Sequence, residues 1–155
     1  MNISERIKIV AAIAPQAGAA ITGDYVSLKK AGHVTVVVDI NQANAAPVAI
    51  TIEQATAVDG TGSKALAVDV PVYLVADAAT SDEWVAQDAA VAYTTSATLK
   101  HKLVAFEIPA SALDVANGFD CVTVKTAASN AANITQASYI LSALRYGVGS
   151  SVIAD

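Results

Sequence analysis

Residues 103–125, LVAFEIPASALDVANGFDCVTVK, decide the fold. Two apolar runs, 103–108 and 119–124, flank a polar corner that carries Pro109, Asp114, Asn117 and Gly118. Each run is too short for a helix and reads as a strand. Between them, Ser111, Ala112, Leu113 and Asp114 have the pattern of a single helical turn. Asn117-Gly118 supplies the positive φ with which the chain re-enters the sheet.

Outward from this corner the same grammar repeats. Residues 33–40, HVTVVVDI, give the strongest strand signal, and the β-branched run Val34, Val36, Val37 and Val38 suits a strand covered on both faces. Residues 48–58 alternate, with Val48, Ile50 and Ile52 against Thr51, Glu53 and Gln54, as a half-buried strand does. Further short strands are expected at 25–28, 64–70, 72–76, 91–95, 99–108, 119–126 and 134–144. Turns at Gly23-Asp24, 29–32, 41–47, Asp59-Gly60-Thr61-Gly62, 127–133 and 145–151 separate them. Residues 77–87 are the most polar stretch and read as a surface loop with room for a helical turn. About eight to ten short strands at intervals of about 8–12 residues predict an all-β chain, an antiparallel β-sandwich of jelly-roll-like type. An immunoglobulin-like topology has the same pattern. At the N-terminus, Ser4 can cap a short helix with Ile3, Ile7, Val10 and Ala14 on one face, ended by Pro15 and Gly18. An extended arm competes, because Ile7, Ile9 and Ala11 also alternate. The expectation is one domain over 1–155, with 1–20 as an N-terminal arm or helix and 148–155 as a C-terminal arm.

Composition narrows the function classes. The chain has 155 residues, enough to bury a core without disulfides or metal. It is 54% hydrophobic and 15% charged, where soluble domains carry about 25% charge. A small, neutral surface of this kind suits a subunit of a larger assembly. The net charge of −5 argues against a grip on nucleic acid, which needs a basic stripe. Arg6, Lys8 and the following apolar residues imitate a secretory signal, but the run is short and Pro15 interrupts it. Residues 126–144 lack charge yet hold too much Asn, Ser, Thr and Gln for a membrane span, so no membrane is expected.

No catalytic constellation emerges, and the chain is expected not to be an enzyme and to need no cofactor or metal. Gly60-Thr61-Gly62-Ser63-Lys64 has the wrong order and spacing for a phosphate loop and reads as a hairpin turn. Ser27-x-x-Lys30 lacks the partner motifs of the serine enzymes it imitates. His33 and His101 stand apart from any second ligand at metal spacing. Asp77, Asp82, Glu83 and Asp88 do not match a calcium loop and read as a solvated acidic loop. The lone Cys121 reads as a small buried hydrophobe. Trp84, in a polar loop, is a candidate contact with a neighbouring subunit; with Tyr73 and Tyr93 it is also a candidate sugar platform.

Several stretches together carry a resemblance: Gly23-Asp24-Tyr25-Val26-Ser27-Leu28 running into Gly32-His33-Val34-Thr35-Val36, then Ile52-Glu53-Gln54-Ala55-Thr56-Ala57-Val58 before Gly60-Thr61-Gly62-Ser63-Lys64-Ala65-Leu66. Leu113-Asp114-Val115-Ala116-Asn117-Gly118-Phe119-Asp120-Cys121 and Tyr139-Ile140-Leu141-Ser142 through Arg145-Tyr146 to Val152-Ile153-Ala154-Asp155 complete the set. In this order they resemble a family of small virion structural proteins of tailed bacteriophages. The resemblance implies a head-associated role, that of a cement or decoration protein on the capsid exterior, made in the host bacterial cytoplasm. Its implied partners are the major capsid protein and further copies of itself, as dimer or trimer. It carries over no ligand residue. A neck or tail component and a host-glycan-binding module are the alternatives. Partner contacts are expected from the two arms and the exposed aromatic, at Ile3, Ile7, Val10, Trp84, Val152 and Ile153.

Overall fold

The computed structural model describes residues 6–145. Its strands are β1 (Lys8–Ala17), β2 (Ile21–Thr22), β3 (Val26–Ser27), β4 (Ala31–Asn41), β5 (Ala49–Ala55), β6 (Lys64–Ala65), β7 (Val70–Val75), β8 (Val85–Ala90), β9 (Ala92–Thr94), β10 (His101–Pro109), β11 (Cys121–Thr126) and β12 (Ile134–Leu144). They form two antiparallel sheets, packed as a sandwich. The first has the order β1-β12-β4-β10-β7-β8 and the second β2-β11-β5-β6, with β3 also on β11 and β9 also on β5. From β4 onward the chain passes back and forth between the two sheets, which is the winding of a jelly roll.

The corner in residues 103–125 is one of these passages. β10 ends at Pro109, two 3₁₀ turns follow at Ala110–Ala112 and Val115–Asn117, and Gly118 takes φ 83° before β11 begins. The two apolar runs therefore belong to opposite sheets, and the corner carries the chain across the sandwich instead of returning it to the sheet it left. It is anchored to the second sheet by the Asp114 N–H, which donates to Gln54 Oε1 at 2.8 Å.

Strand alternation builds the core. Val34, Val36, Val38 and Ile40 of β4 point inward with Val104, Phe106 and Ile108 of β10, all at zero exposure, against Ile50, Ile52, Val122 and Val124 of the second sheet. Each such side chain stabilises the fold by about 1.5–3 kcal/mol on transfer from water. The other face of β4 is only half covered, so the expectation of a strand buried on both faces is corrected. Thr35 and Val37 extend the β-branched run without belonging to the core.

Other expectations also change. Lys8–Ala17 is a strand paired with β12, so the helical reading gives way to the extended one, and these residues belong to the body of the sheet. Pro15 sits on this edge strand inside a register shift, where its missing N–H costs no ladder bond. The strand expected at 64–70 is reduced to β6, and β7 starts at Val70 with Pro71 in its own register shift. The polar loop ends before Val85, and 85–90 is the edge strand β8.

One junction ties the layers together. Between β2 and β3 the edge of the second sheet breaks at residues 23–25. There Gly23 N–H donates to Val124 O (2.8 Å) and Asp24 N–H to Ala12 O (2.9 Å). A Cβ on Gly23 would lie 2.9 Å from Val124 O, so only glycine fits. The break leaves the Val124 N–H without a strand partner. Tyr139, fully buried on β12 of the opposite sheet, supplies one: its hydroxyl accepts from Val124 N at 3.0 Å and donates to Asp24 O at 2.7 Å. Burial pushes the phenol up to about 12, so it stays neutral. At the other end of the sandwich the buried Lys102 donates to Gln42 Oε1 (2.8 Å), Ser96 O (2.8 Å) and Thr98 O (2.7 Å), three acceptors for three N–H donors. Burial holds this ammonium below the usual lysine range.

Tyr139→Phe keeps the ring and strands the Val124 N–H. Chemical denaturation is expected to show a loss of about 1–3 kcal/mol with an unchanged denaturant slope. A loss within error of zero would remove the tie from the account.

Candidate binding face

The outward residues of the first sheet carry a groove. Paired registers place Ala11, Ser138, Val37, Ala105, Tyr73 and Ala86 in one row across all six strands. The next row holds Ile9, Ile140, Thr35 and Glu107. Around the middle of this face Thr35, Val37, Tyr73, Trp84, Ala105, Glu107 and Ile140 line a groove of about 390 Å³. Trp84 is 43% exposed, whereas Ala105 beneath the groove is buried.

The Thr35–Glu107 wall is fixed by hydrogen bonds. Thr35 and Glu107 are opposite one another on β4 and β10, and Thr35 Oγ1 donates to Glu107 Oε2 at 2.9 Å. His33 Nε2 lies 3.1 Å from the same carboxylate oxygen. A second histidine–carboxylate pair, His101 with Asp39 at 2.5 Å, stands at the far end of the same two strands, where Gln136 also donates to Asp39. Trp84 sits where the β7–β8 loop enters β8. That loop is stapled to β10: the Ala78 N–H donates to His101 O (2.7 Å), and Lys100 Nζ donates to Asp77 Oδ2 (2.6 Å). The Lys100 bond, with the Ala79 N–H, holds the Asp77 carboxyl below its usual range against a smaller opposing effect of desolvation.

The remaining candidates are placed as follows. Tyr93 lies on β9 of the second sheet and packs against the core, so it does not join Trp84 and Tyr73. Gly60 and Gly62, at φ 82° and 69°, shape the β5–β6 hairpin, and Lys64 pairs with Asp114 across 2.6 Å. Ser27 Oγ accepts the Lys29 N–H at 3.3 Å. Burial, then the neighbouring Asp120 carboxylate, pushes the Cys121 thiol up to about 12, which leaves it without thiolate character. No group of three or more His, Cys, Asp or Glu converges on a metal position among the described residues. Val10 packs against the core, Ile7 is half-buried just ahead of β1, and Ile3, Val152 and Ile153 lie outside the described residues. Thr35, Glu107 and Ile140 were not singled out from sequence; their odd–even position on strands was the available signal.

A second hollow, of about 330 Å³, opens at the end of the sandwich beside the corner, lined by Leu28, Lys29, Leu113, Val115 and Arg145 among others. Val115 is 62% exposed. At this end Lys8 is opposite Leu141, and the Arg145 N–H donates to Lys30 O at 2.9 Å, so the described chain both begins and ends here.

No protein-family model matches the chain, and no curated protein matches it in sequence. Among solved structures it is similar to the SPBc2 prophage-derived protein YomS, with a TM-score of 0.50 and 8% identity over 88% of this chain and 93% of that one. Weaker likenesses include a CBM4 module (TM-score 0.32, 12% identity, 78% and 59% covered) and the N-terminal cellulose-binding domain of Cellulomonas fimi β-1,4-glucanase C (0.35, 8%, 92% and 81%). At these identities what is shared with YomS is the fold, and the two lower scores carry no argument.

Because Asp77 is held below the ordinary aspartate value of 3.8, its tie to Lys100 is intact above that value and is lost as pH falls through the lower folded one. Trp84 emission, followed against pH, is expected to stay flat down to the ordinary range and to change only below it. Asp77→Asn should abolish that step, and an unaltered step in the variant would show that the staple does not hold the loop.

Proposed function

We propose that this chain is a non-enzymatic structural protein of a tailed-bacteriophage particle, a cement or decoration protein that bridges adjacent major capsid protein subunits on the head exterior. It works without cofactor, as a dimer or trimer whose contacts add to those with the shell. Three supports converge. The sequence resembles phage virion structural proteins along nearly its whole length. The fold is similar to that of a prophage-derived protein over most of both chains. The surface is poor in charge, with 15% charged residues overall, as suits a subunit that buries area on more than one side.

The observation that carries the geometry is the end of the sandwich beside the corner. The described chain begins and ends on neighbouring strands there, next to the hollow in which Leu28, Leu113 and Val115 lie beside Lys29, Asp120 and Arg145. One partner surface can therefore engage the hollow and both ends of the described chain together. This modifies the expectation of a free arm over 1–20. Removing those residues would delete β1 and cost the fold, so the N-terminal attachment segment is confined to residues ahead of Lys8.

The test uses particles assembled without this chain, to which purified protein is added back. Saturable binding and raised heat resistance of the particles are expected. Val115→Asp, and truncation after Arg145, should weaken binding at least tenfold while the free protein keeps its melting temperature, because Val115 is largely exposed. Full-strength attachment by both variants would overturn this attachment side, and failure of the intact chain to bind would overturn the cement role.

A further inference from the structure

We propose that the groove on the outer face of the first sheet is a carbohydrate-binding site that takes a pyranose ring of a neutral glycan. The inference stands apart from the particle reading, because the groove lies on a sheet face and the attachment hollow at the sandwich end.

Four features point to this ligand class. The groove, about 390 Å³, falls within the range of small-ligand clefts, about 300–1,000 Å³. Its lining includes two aromatic side chains, Trp84 and Tyr73, of the kind whose negative ring quadrupole attracts the C–H groups on the flat side of a sugar ring. Its polar groups are of the kinds that hydroxyls need. Thr35 carries a hydroxyl, and Glu107 is a carboxylate whose bonds from Thr35 and His33 both fall on Oε2. Among the described residues Oε1 receives no hydrogen bond, which leaves it free to accept from a ligand hydroxyl. Charge selects further. Among the described residues no Lys or Arg lines the groove and its one charged lining residue is acidic, so an anionic ligand would be repelled and a neutral one accepted.

The site is also preorganised. Thr35, Glu107 and Tyr73 stand on central strands of the sheet, and Trp84 is held at the base of a loop pinned by Asp77–Lys100. Little side-chain entropy remains to be lost when a ring settles between them. Core packing accounts for the buried Ala105 but not for a Trp that stays 43% exposed over it.

Trp84 is the sole tryptophan, so its emission reports the groove directly. The full chain is titrated with cellotetraose, mannotetraose, xylotetraose and triacetylchitotriose, with sialyllactose as the anionic control. A saturable emission change with at least one neutral saccharide, and none with sialyllactose, is expected. Glu107→Gln and Tyr73→Ala, both retaining Trp84 and checked for unchanged thermal unfolding, should each weaken that binding about tenfold or more. For Trp84→Ala, saturation-transfer NMR on the saccharide resonances should show the signal lost. No response to any neutral saccharide overturns the proposal, and so does a response that both variants leave intact. An emission change produced only by capsid particles would assign the groove to the particle contact and would equally overturn it. The saccharide outcomes do not depend on whether the chain binds a capsid.

Discussion

The sandwich depends on how it deals with one broken edge. Where β2 and β3 part, a buried backbone N–H at Val124 loses its ladder partner, and leaving such a donor unpaired costs about 1–3 kcal/mol. The hydroxyl of Tyr139 crosses the core from the opposite sheet to meet it, and the same hydroxyl fixes Asp24 O. Gly23 lets the chain pass close enough to bond Val124 O and bring Asp24 to Ala12 of β1. One hydroxyl thus joins the two layers at the point where the edge breaks, and the backbone bond from Asp24 to Ala12 docks the first strand beside it. The core between the layers supplies most of the stabilisation, and this tie adds a specific polar contact to it.

Jelly-roll winding then divides the surface into distinct regions. Because most connections, the β5–β6 and β7–β8 hairpins apart, cross from one sheet to the other, they lie toward the ends of the sandwich, and the outer face of the first sheet carries the groove. The end beside the corner holds the second hollow and both ends of the described chain. The opposite end is closed by the Lys102, Gln42 and Thr95 network. Binding to a shell at one end and to a small ligand on a face can therefore coexist in one small chain.

Much of this architecture was legible in the residues. The corner in 103–125 announced itself through Pro109, Asp114 and Gly118. A β-branched run placed β4, alternation placed β5, and the polar loop at 127–133 marked the start of β12, each within a few positions of where they lie. What local pattern does not encode is which sheet a strand joins. The corner read as a re-entry to the sheet, and the runs on either side of it in fact belong to opposite sheets. The N-terminal strand satisfied helical and extended spacing alike, and pairing with β12 decided between them. Lys102 shares the parity of Val104 and Phe106, so its burial was implied by position, but its charge masked the signal. The groove was half visible: Trp84 and Tyr73 stood out as aromatics. Thr35 and Glu107 became partners only through a register joining residues 72 positions apart, and Tyr93 left the group because β9 belongs to the other sheet.

The central claim is that the chain is a stoichiometric part of a phage head. Its copy number in purified particles of the encoding phage, measured by quantitative mass spectrometry against the major shell protein, tests this most directly. The account predicts a count within a few-fold of the shell protein. A handful of copies per particle would move the chain to the neck or tail, and its absence from the particle would contradict the structural reading altogether.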